Sequence, residues 1–437
     1  VVVEKILEDA GRRADRAEAY FSEGETTTVL FKAGELHEAG IANSRGVAVR
    51  AFVDGRVGYG GTTDLTQPTA VVDAAVATAK HGRRAEYELP DGGADYADVA
   101  PFDADVAALK PEFMVELGER ADAMVKAADE RYVVTVEIER SIGRTRLVNS
   151  AGLDRTEEST AYSFAVVVNR TTEGDIFYHY DYDMSFARDF DEIAVVERLL
   201  DALQWTDRIV ELETGKMDLI VDPAQVPSLL LPVVTCINGA YVADRSSALA
   251  GRLGEQVAAP AFSLVDDATN TFGWMSGSFD GEGTPTRRTP VIERGVLKSF
   301  LTDLATAERL DTAPTGHARR GVGSPPRPGT SNVIVEAGET PAAELIADTA
   351  RGVLVRGTAG SSMGNIRGGE LSATITYGLK IENGEIVGRV KDCLFAGNVF
   401  QMLGERLRAV ASDPRRSAGS YLTPAIFVSD QTVTAKG

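Results

Sequence analysis

The apolar rhythm of the chain changes several times along its length, and each change predicts an element. From Glu4 to Ala19 apolar residues recur at helical spacing (Ile6, Leu7, Ala10, Ala14, Ala17), which predicts an amphipathic helix. Between Gly46 and Tyr59 the period drops to two. Val47, Val49, Ala51 and Val53 alternate with other residues, and Asp54-Gly55 turns the chain into Arg56-Val57-Gly58-Tyr59, a strong hairpin signal. A helix follows, with Asp64 or Thr66 as cap, Pro68 in its first turn, Val71, Val72, Ala75, Val76 and Ala79 on one face, and Gly82 as its stop. Pro90 to Pro101 is acidic and aperiodic, the pattern of a surface loop. Pro111 to Glu130 is amphipathic again, with Phe113, Met114, Leu117, Ala121, Met124 and Val125 turned inward.

Strand patterns take over from Tyr132. Val133–Ile138, Thr145–Asn149, Ala161–Asn169 and Ile176–Met184 are separated by turns rich in Gly, Asn and Glu, and a helix is predicted over Asp191–Leu203. The polar stretch Thr206 to Gly215 separates that helix from the strand Met217–Val221. It predicts two domains, 1–210 and 211–437. Pro223 to Ala240 reads as a buried helix interrupted by Pro227 and Pro232. The remainder is mostly strand (Ser263–Asp266, Val291–Ile292, Ser331–Glu336, Leu371–Ile381), with a helix over Pro341–Gly352 and an Asn383-Gly384 hairpin before Glu385–Val390. Helices and strands alternate without a regular βαβ rhythm, so the fold class expected is α+β.

Composition narrows the functions. At 437 residues, 43% hydrophobic and 25% charged, the chain is an ordinary globular protein. Its 45 Lys and Arg against 65 Asp and Glu leave a net charge of −20, which repels phosphate backbones and anionic lipid, so neither nucleic acid nor membrane is an expected partner. No stretch is long and apolar enough to span a bilayer, and no signal-peptide pattern opens the sequence. Cys236 and Cys393, far apart and without zinc-finger spacing, read as two buried thiols of a reducing compartment, hence a cytoplasmic expectation.

Few residues carry recognisable chemistry. On the strand Tyr178-His179-Tyr180-Asp181-Tyr182-Asp183, His179, Asp181 and Asp183 share one face, which makes either a metal site or the wall of a polar cleft. Neither cysteine has a nucleophile motif, and Ser150 lies outside any GxSxG elbow. The glycine clusters Gly58 to Gly61 and Gly357 to Gly369 lack the phosphate-binding patterns. Three polar loops stand out: Asp280 and Glu282 in Phe279-Asp280-Gly281-Glu282-Gly283-Thr284, then Thr315-Gly316-His317-Ala318-Arg319-Arg320, then Ser361-Ser362-Met363-Gly364-Asn365. Together they suggest the mouth of a site for an extended polar ligand.

At these loops the sequence resembles the TldD/PmbA family, the so-called modulators of DNA gyrase, and within it the PmbA (TldE) branch. The resemblance runs over nearly the whole chain. It is carried by Gly46-Val47-Ala48-Val49-Arg50-Ala51-Phe52 with Asp54-Gly55-Arg56-Val57-Gly58, and by Val148-Asn149-Ser150-Ala151-Gly152. Further along come Leu253-Gly254-Glu255-Gln256-Val257, the Asp280 and His317 loops, Ile381-Glu382-Asn383-Gly384-Glu385-Ile386 and Ala396-Gly397-Asn398. It implies an N-terminal α/β domain, a C-terminal domain with a curved half-barrel sheet, a cytosolic dimer and a zinc peptidase function. It also implies where zinc would sit: TldD-type chains hold it with an HExxxH helix and a cysteine near the C-terminus. Here the two histidine positions and the glutamate fall on Pro232, Ile237 and Val233, and the tail after Ala396-Gly397-Asn398 has no cysteine.

The resemblance therefore implies a chain with no catalytic residue and no metal of its own: a subunit whose TldD-type partner supplies the zinc, and which contributes half of a dimer and one wall of a peptide chamber. Expected to line that wall are Asp280, Glu282, Thr315, His317, Arg319, Arg320, His179, Asp181 and Asp183, since strands and Gly-rich loops hold unfolded peptide by strand addition. Two other readings remain: a homodimeric peptide-binding pseudoenzyme, and a self-sufficient hydrolase with a metal at His179, Asp181 and Asp183 or a Cys–His pair.

Overall fold

The computed structural model describes residues 2–435 and is α+β, as the mixed element order predicts. Its first half is one six-stranded antiparallel sheet curled into a half-barrel. The strands are β1 (Arg16–Lys32), β2 (Glu35–Val53), β3 (Arg56–Thr62), β4 (Val133–Asn149), β5 (Asp154–Thr172) and β6 (Asp175–Ser185), in the order β3-β2-β1-β4-β5-β6. The Asp54-Gly55 turn joins β2 to β3 as expected, with both residues at positive φ (52° and 71°).

One face of this sheet carries two helix pairs. At one end Val2–Gly11 and Thr69–Ala79 pack on Ala17, Ala19, Val47, Val49 and Val148; at the other Pro111–Ala128 and Glu192–Leu203 cover Val29, Phe31, Val136, Phe164 and Val166. Between the pairs the same face turns polar at Glu23, Glu25, Arg45 and Arg144 and leaves a groove of about 800 Å³. Gly58 and Gly60 let the helix Thr69–Ala79 lie directly on β3, because a Cβ at either would collide with the Ala75 or Val71 carbonyl.

Two expectations fail here. The first helix ends at Gly11, and Ala14 and Ala17 leave it: from Arg16 the chain is strand. The segments 133–138 and 145–149 are one 17-residue strand, not two. Polar residues run through the middle of both β1 and β4, where only cross-strand partners hold the pairing, so apolar alternation does not mark them.

In the second half the curvature of the main sheet goes to completion. Gly215–Val221, Arg351–Ala359, Glu370–Glu382, Cys393–Asn398 and Ile426–Ala435 form a five-stranded barrel, closed because Arg351–Ala359 pairs in parallel with Gly215–Val221 and antiparallel with Glu370–Glu382. Met217, Leu219, Val353, Ile375 and Val428 share a core with the helix Val226–Cys236, while Ile220, Leu354, Leu379 and Phe427 join the core of the N-terminal helices. The two halves thus share one continuous apolar contact. The helix over 226–236 runs through Pro232 without breaking, with Pro227 in its first turn. Burial of Leu229, Leu230, Val233 and Cys236 offsets the hydrogen bond that the proline removes. Among the described residues no helix is long and apolar enough to cross a membrane.

Candidate functional site

The Asp280 and Glu282 loop meets the half-barrel at a buried arginine. Arg50 lies in the middle of the apolar run of β2, and its side chain is fully buried. Its guanidinium donates to Glu18 of β1 at 2.6 Å, to Glu282, and more distantly to the Tyr87 hydroxyl at 3.4 Å. Arg320 pairs with the other oxygen of Glu18, donates to the Gly281 carbonyl at 3.2 Å and stacks on Tyr20. Glu18, Arg50, Glu282 and Arg320 form a chain of alternating charge, two of each sign, with side chains at most 1% exposed. This chain is a strut between the N-terminal sheet and the C-terminal half. Burial pushes the Glu282 carboxyl up, and Arg50 opposes it.

Asp280 and Glu282 were expected on an open, glycine-flexible lip; the structure buries both. Asp280 accepts from the Glu282, Thr284 and Ala318 amides at 2.9, 3.0 and 2.9 Å, and Glu282 accepts from the Leu304 amide at 2.7 Å. Apart from Arg50, every donor to the pair is backbone, so these carboxylates shape the loop instead of facing a ligand. Burial raises the Asp280 carboxyl, and the three amides and His317 pull it back.

His317 is equally enclosed. Its Nδ1 lies 2.9 Å from Thr315 Oγ1 and its Nε2 3.1 Å from Asp266 Oδ1. The connectivity of hydroxyl, imidazole and carboxylate is that of a nucleophilic triad, but access is not. His317 and Asp266 are each 1% exposed, and Thr315 Oγ1 is already held by the Thr302 amide at 2.7 Å and the Thr302 carbonyl at 3.2 Å. Asp266 in turn binds the Ser331 amide and hydroxyl. Arg319 is half-buried, with Nε on the Thr330 carbonyl at 3.0 Å, and burial lowers its pKa.

The strand cluster of His179, Asp181 and Asp183 lies apart from these loops. The three do share a face, but arginines occupy the carboxylates: Arg198 donates to Asp181 at 3.0 and 3.2 Å, Arg415 lies 3.6 Å from Asp181, and Arg416 3.5 Å from Asp183. His179 packs edge-on against Tyr377 at 4.8 Å. Burial, reinforced by Arg356 and Arg415, holds its imidazole down at about 3. Its neutral form therefore stabilises the fold fully above the unfolded value near 6.5, and that contribution is lost as pH falls toward 3. We expect ~2 kcal/mol of it to be gone at pH 5. Denaturant titrations at pH 7 and 5 should show this loss in the native chain and not in His179→Phe; equal pH slopes in both would refute it.

The helix that aligns with the zinc motif offers the metal nothing. Pro232, Val233 and Ile237 are buried in the C-terminal core and carry no side-chain donor atom. The neighbouring thiol, Cys236, donates to the Ile366 and Arg367 carbonyls at 3.5 and 3.2 Å, and burial raises its pKa away from the thiolate that zinc needs. Among the described residues no group of three or more His, Cys, Asp or Glu side chains is placed to hold a metal ion. The residues present do not fit zinc at this helix.

Sequence reasoning missed Glu18 and Arg50. Arg50 had a signal: it is the one charge in Val47-Ala48-Val49-Arg50-Ala51-Phe52-Val53, and a charge inside an apolar strand needs a buried partner. Glu18 had none, because its partners lie 32 and 302 residues away. Above the strut, between the two halves of the chain, opens a cleft of about 610 Å³ lined in part by Tyr59 and Tyr87.

Comparison with known proteins agrees along the whole chain. Signatures of the PmbA/TldA metallopeptidase family match in three parts: domain 1 over residues 17–80, the central domain over 104–212 and the C-terminal domain over 214–435. A metalloprotease of Methanothermobacter thermautotrophicus is 27% identical over 429 residues, spanning 95% of this chain and 92% of its own. The PmbA homolog metalloprotease of Haemophilus influenzae is 26% identical over 424 residues, 93% of this chain and 90% of its own. The crystal structure of TldE from Thermococcus kodakarensis shares the fold with a TM-score of 0.91, over 100% of both chains at 22% identity.

Proposed function

The chain belongs to the PmbA/TldD metallopeptidase family, and from that premise we propose that it is a zinc-free, TldE/PmbA-type subunit of a cytoplasmic peptidase complex. One observation carries the reading: where the motif calls for two histidines and a glutamate, Pro232, Ile237 and Val233 are apolar and buried. A TldD-type partner would supply zinc, its bound water and the general base. This chain would supply half of the dimer and one wall of the chamber in which an unfolded peptide lies. The strut of Glu18, Arg50, Glu282 and Arg320 would keep that wall rigid by fixing the half-barrel to the C-terminal half.

The test is peptide hydrolysis, with zinc content measured on the same samples, for the chain alone and mixed with a TldD-type partner. Well under one zinc per chain and no cleavage alone, with cleavage on mixing, is the expected result. Stoichiometric zinc and cleavage by the lone chain would refute the proposal. Absence of any complex on mixing would favour the homodimeric, peptide-binding alternative.

A further inference from the structure

The cleft above the strut runs against the charge of the molecule. In a chain of net charge −20, it gathers His81, Arg83 and Arg84 from the end of the helix Thr69–Ala79, and Arg309 and Arg327 from the C-terminal half. Lys80-His81-Gly82-Arg83-Arg84 is a compact basic run, set on the N-terminal side of the cleft. Three carboxylates line the same cleft, and each is already occupied. Asp244 pairs with Arg309, Asp303 caps the helix Leu304–Leu310 through the Thr306 amide at 2.8 Å, and Glu308 accepts from the Glu86 amide at 2.8 Å. The guanidiniums of Arg83, Arg84 and Arg327 make no side-chain hydrogen bond and no ion pair within 4.0 Å among the described residues, although Arg83 lies in the field of Asp244. Other arginines at the surface, such as Arg131, Arg146, Arg198 and Arg408, are tied to a carboxylate and so are not free to meet a ligand.

The space is ligand-sized. About 610 Å³ is far more than a lone anion fills and lies within the usual range for organic ligands, which favour domain interfaces. Tyr59 and Tyr87 give it an aromatic wall over the buried strut, with Tyr87 in contact with Arg50. Arginine forks match carboxylates in bidentate geometry, and tyrosine faces suit the apolar parts of a peptide.

The geometry points to this cleft as the docking site for a peptide segment rich in carboxylates, gripped by Arg83, Arg84 and Arg327 against Tyr59 and Tyr87. It rests on the peptide-handling function proposed above and names the class of sequence that this subunit selects. The overall field of the protein repels such a segment, so its binding has to come from a local cationic site and not from bulk charge.

The experiment is fluorescence anisotropy with the full chain and two labelled unfolded peptides, one Asp/Glu-rich and one with Asn/Gln in their place. The Asp/Glu-rich peptide should bind at least tenfold tighter at low salt. The triple variant Arg83→Gln/Arg84→Gln/Arg327→Gln should lose that preference, with an unchanged circular-dichroism spectrum. Equal affinity for both peptides, or an undiminished preference in the variant, would overturn the inference. So would displacement of the peptide by inorganic phosphate at micromolar concentration, which marks a small-anion site. Binding is read on the lone chain, so a preference that persists while the mixed complex cleaves nothing would sink the proposed function and leave the docking site standing.

Discussion

Replacing Arg50 by methionine is expected to cost ~3–5 kcal/mol at neutral pH, because it leaves two buried carboxylates without their shared cation. Glu18 and Glu282 are 0% and 1% exposed, and only Glu18 has a second cation, Arg320. Glu282 would keep one amide donor, from Leu304, for a full negative charge in a dry setting. The loss should shrink as pH falls. Without Arg50 the folded-state pKa of Glu282 rises further above the unfolded value, so the variant regains stability as that carboxyl takes up its proton. The native chain should show much less of this acid recovery. A quadruple variant separates the net worth of the strut from the penalty of breaking it. Glu18→Gln/Arg50→Met/Glu282→Gln/Arg320→Met removes all four charges together and should be closer to native than the single variant, since buried ion pairs contribute little beyond a well-packed neutral substitute. Denaturant midpoints decide the matter. A single-variant loss under ~1 kcal/mol would mean that water reaches the cluster and that it is no strut.

The same cluster marks the limit of what the sequence reveals. Elements with their own rhythm were legible: the hairpin at Asp54-Gly55, the helices over 69–79, 111–128 and 192–203, and the strand β6 lie where periodicity puts them, while only the second half of β5 was expected. Strands without rhythm were not. Glu35–Arg45 of β2 is exposed along nearly its whole length and is held by pairing with β1, a partner that no local pattern announces. Arg351–Ala359, which closes the barrel, was hidden behind a helix expected to run to Gly352.

The candidate site divides in the same way. Composition singled out the Asp280 and His317 loops, and the structure brings them together through Ala318, whose amide reaches Asp280. What composition could not show is direction. A carboxylate in a glycine-rich loop looks the same in sequence whether it faces a ligand or caps its own backbone. Burial of Asp280 and Glu282 resolves this toward the second, and the candidates for ligand contact move to arginines that the loops do not contain.

Writing the zinc motif back into the helix should fail, and the magnitudes say why. In Pro232→His/Val233→Glu/Ile237→His, removing the proline returns an N–H to the helix interior and favours the variant by at most ~3 kcal/mol. Val233 is fully buried among Leu229, Leu230 and their neighbours. A glutamate there stays neutral only by raising its pKa above 7, which at pH 7 costs ~4 kcal/mol in protonation alone. Ile237, 1% exposed, adds a second buried polar group. The triple variant should therefore be less stable than the native chain by several kcal/mol. Zinc could repay that cost only if it bound, and two histidines without a third protein ligand make a weak site. The thiol of Cys236 stays committed to the carbonyls of Ile366 and Arg367. Elemental analysis of the purified variant should find far less than one zinc per chain, and its denaturant midpoint should fall. One zinc per chain with the native midpoint retained would mean that the helix is a metal site in waiting, and the division of labour between two kinds of subunit would have to be abandoned.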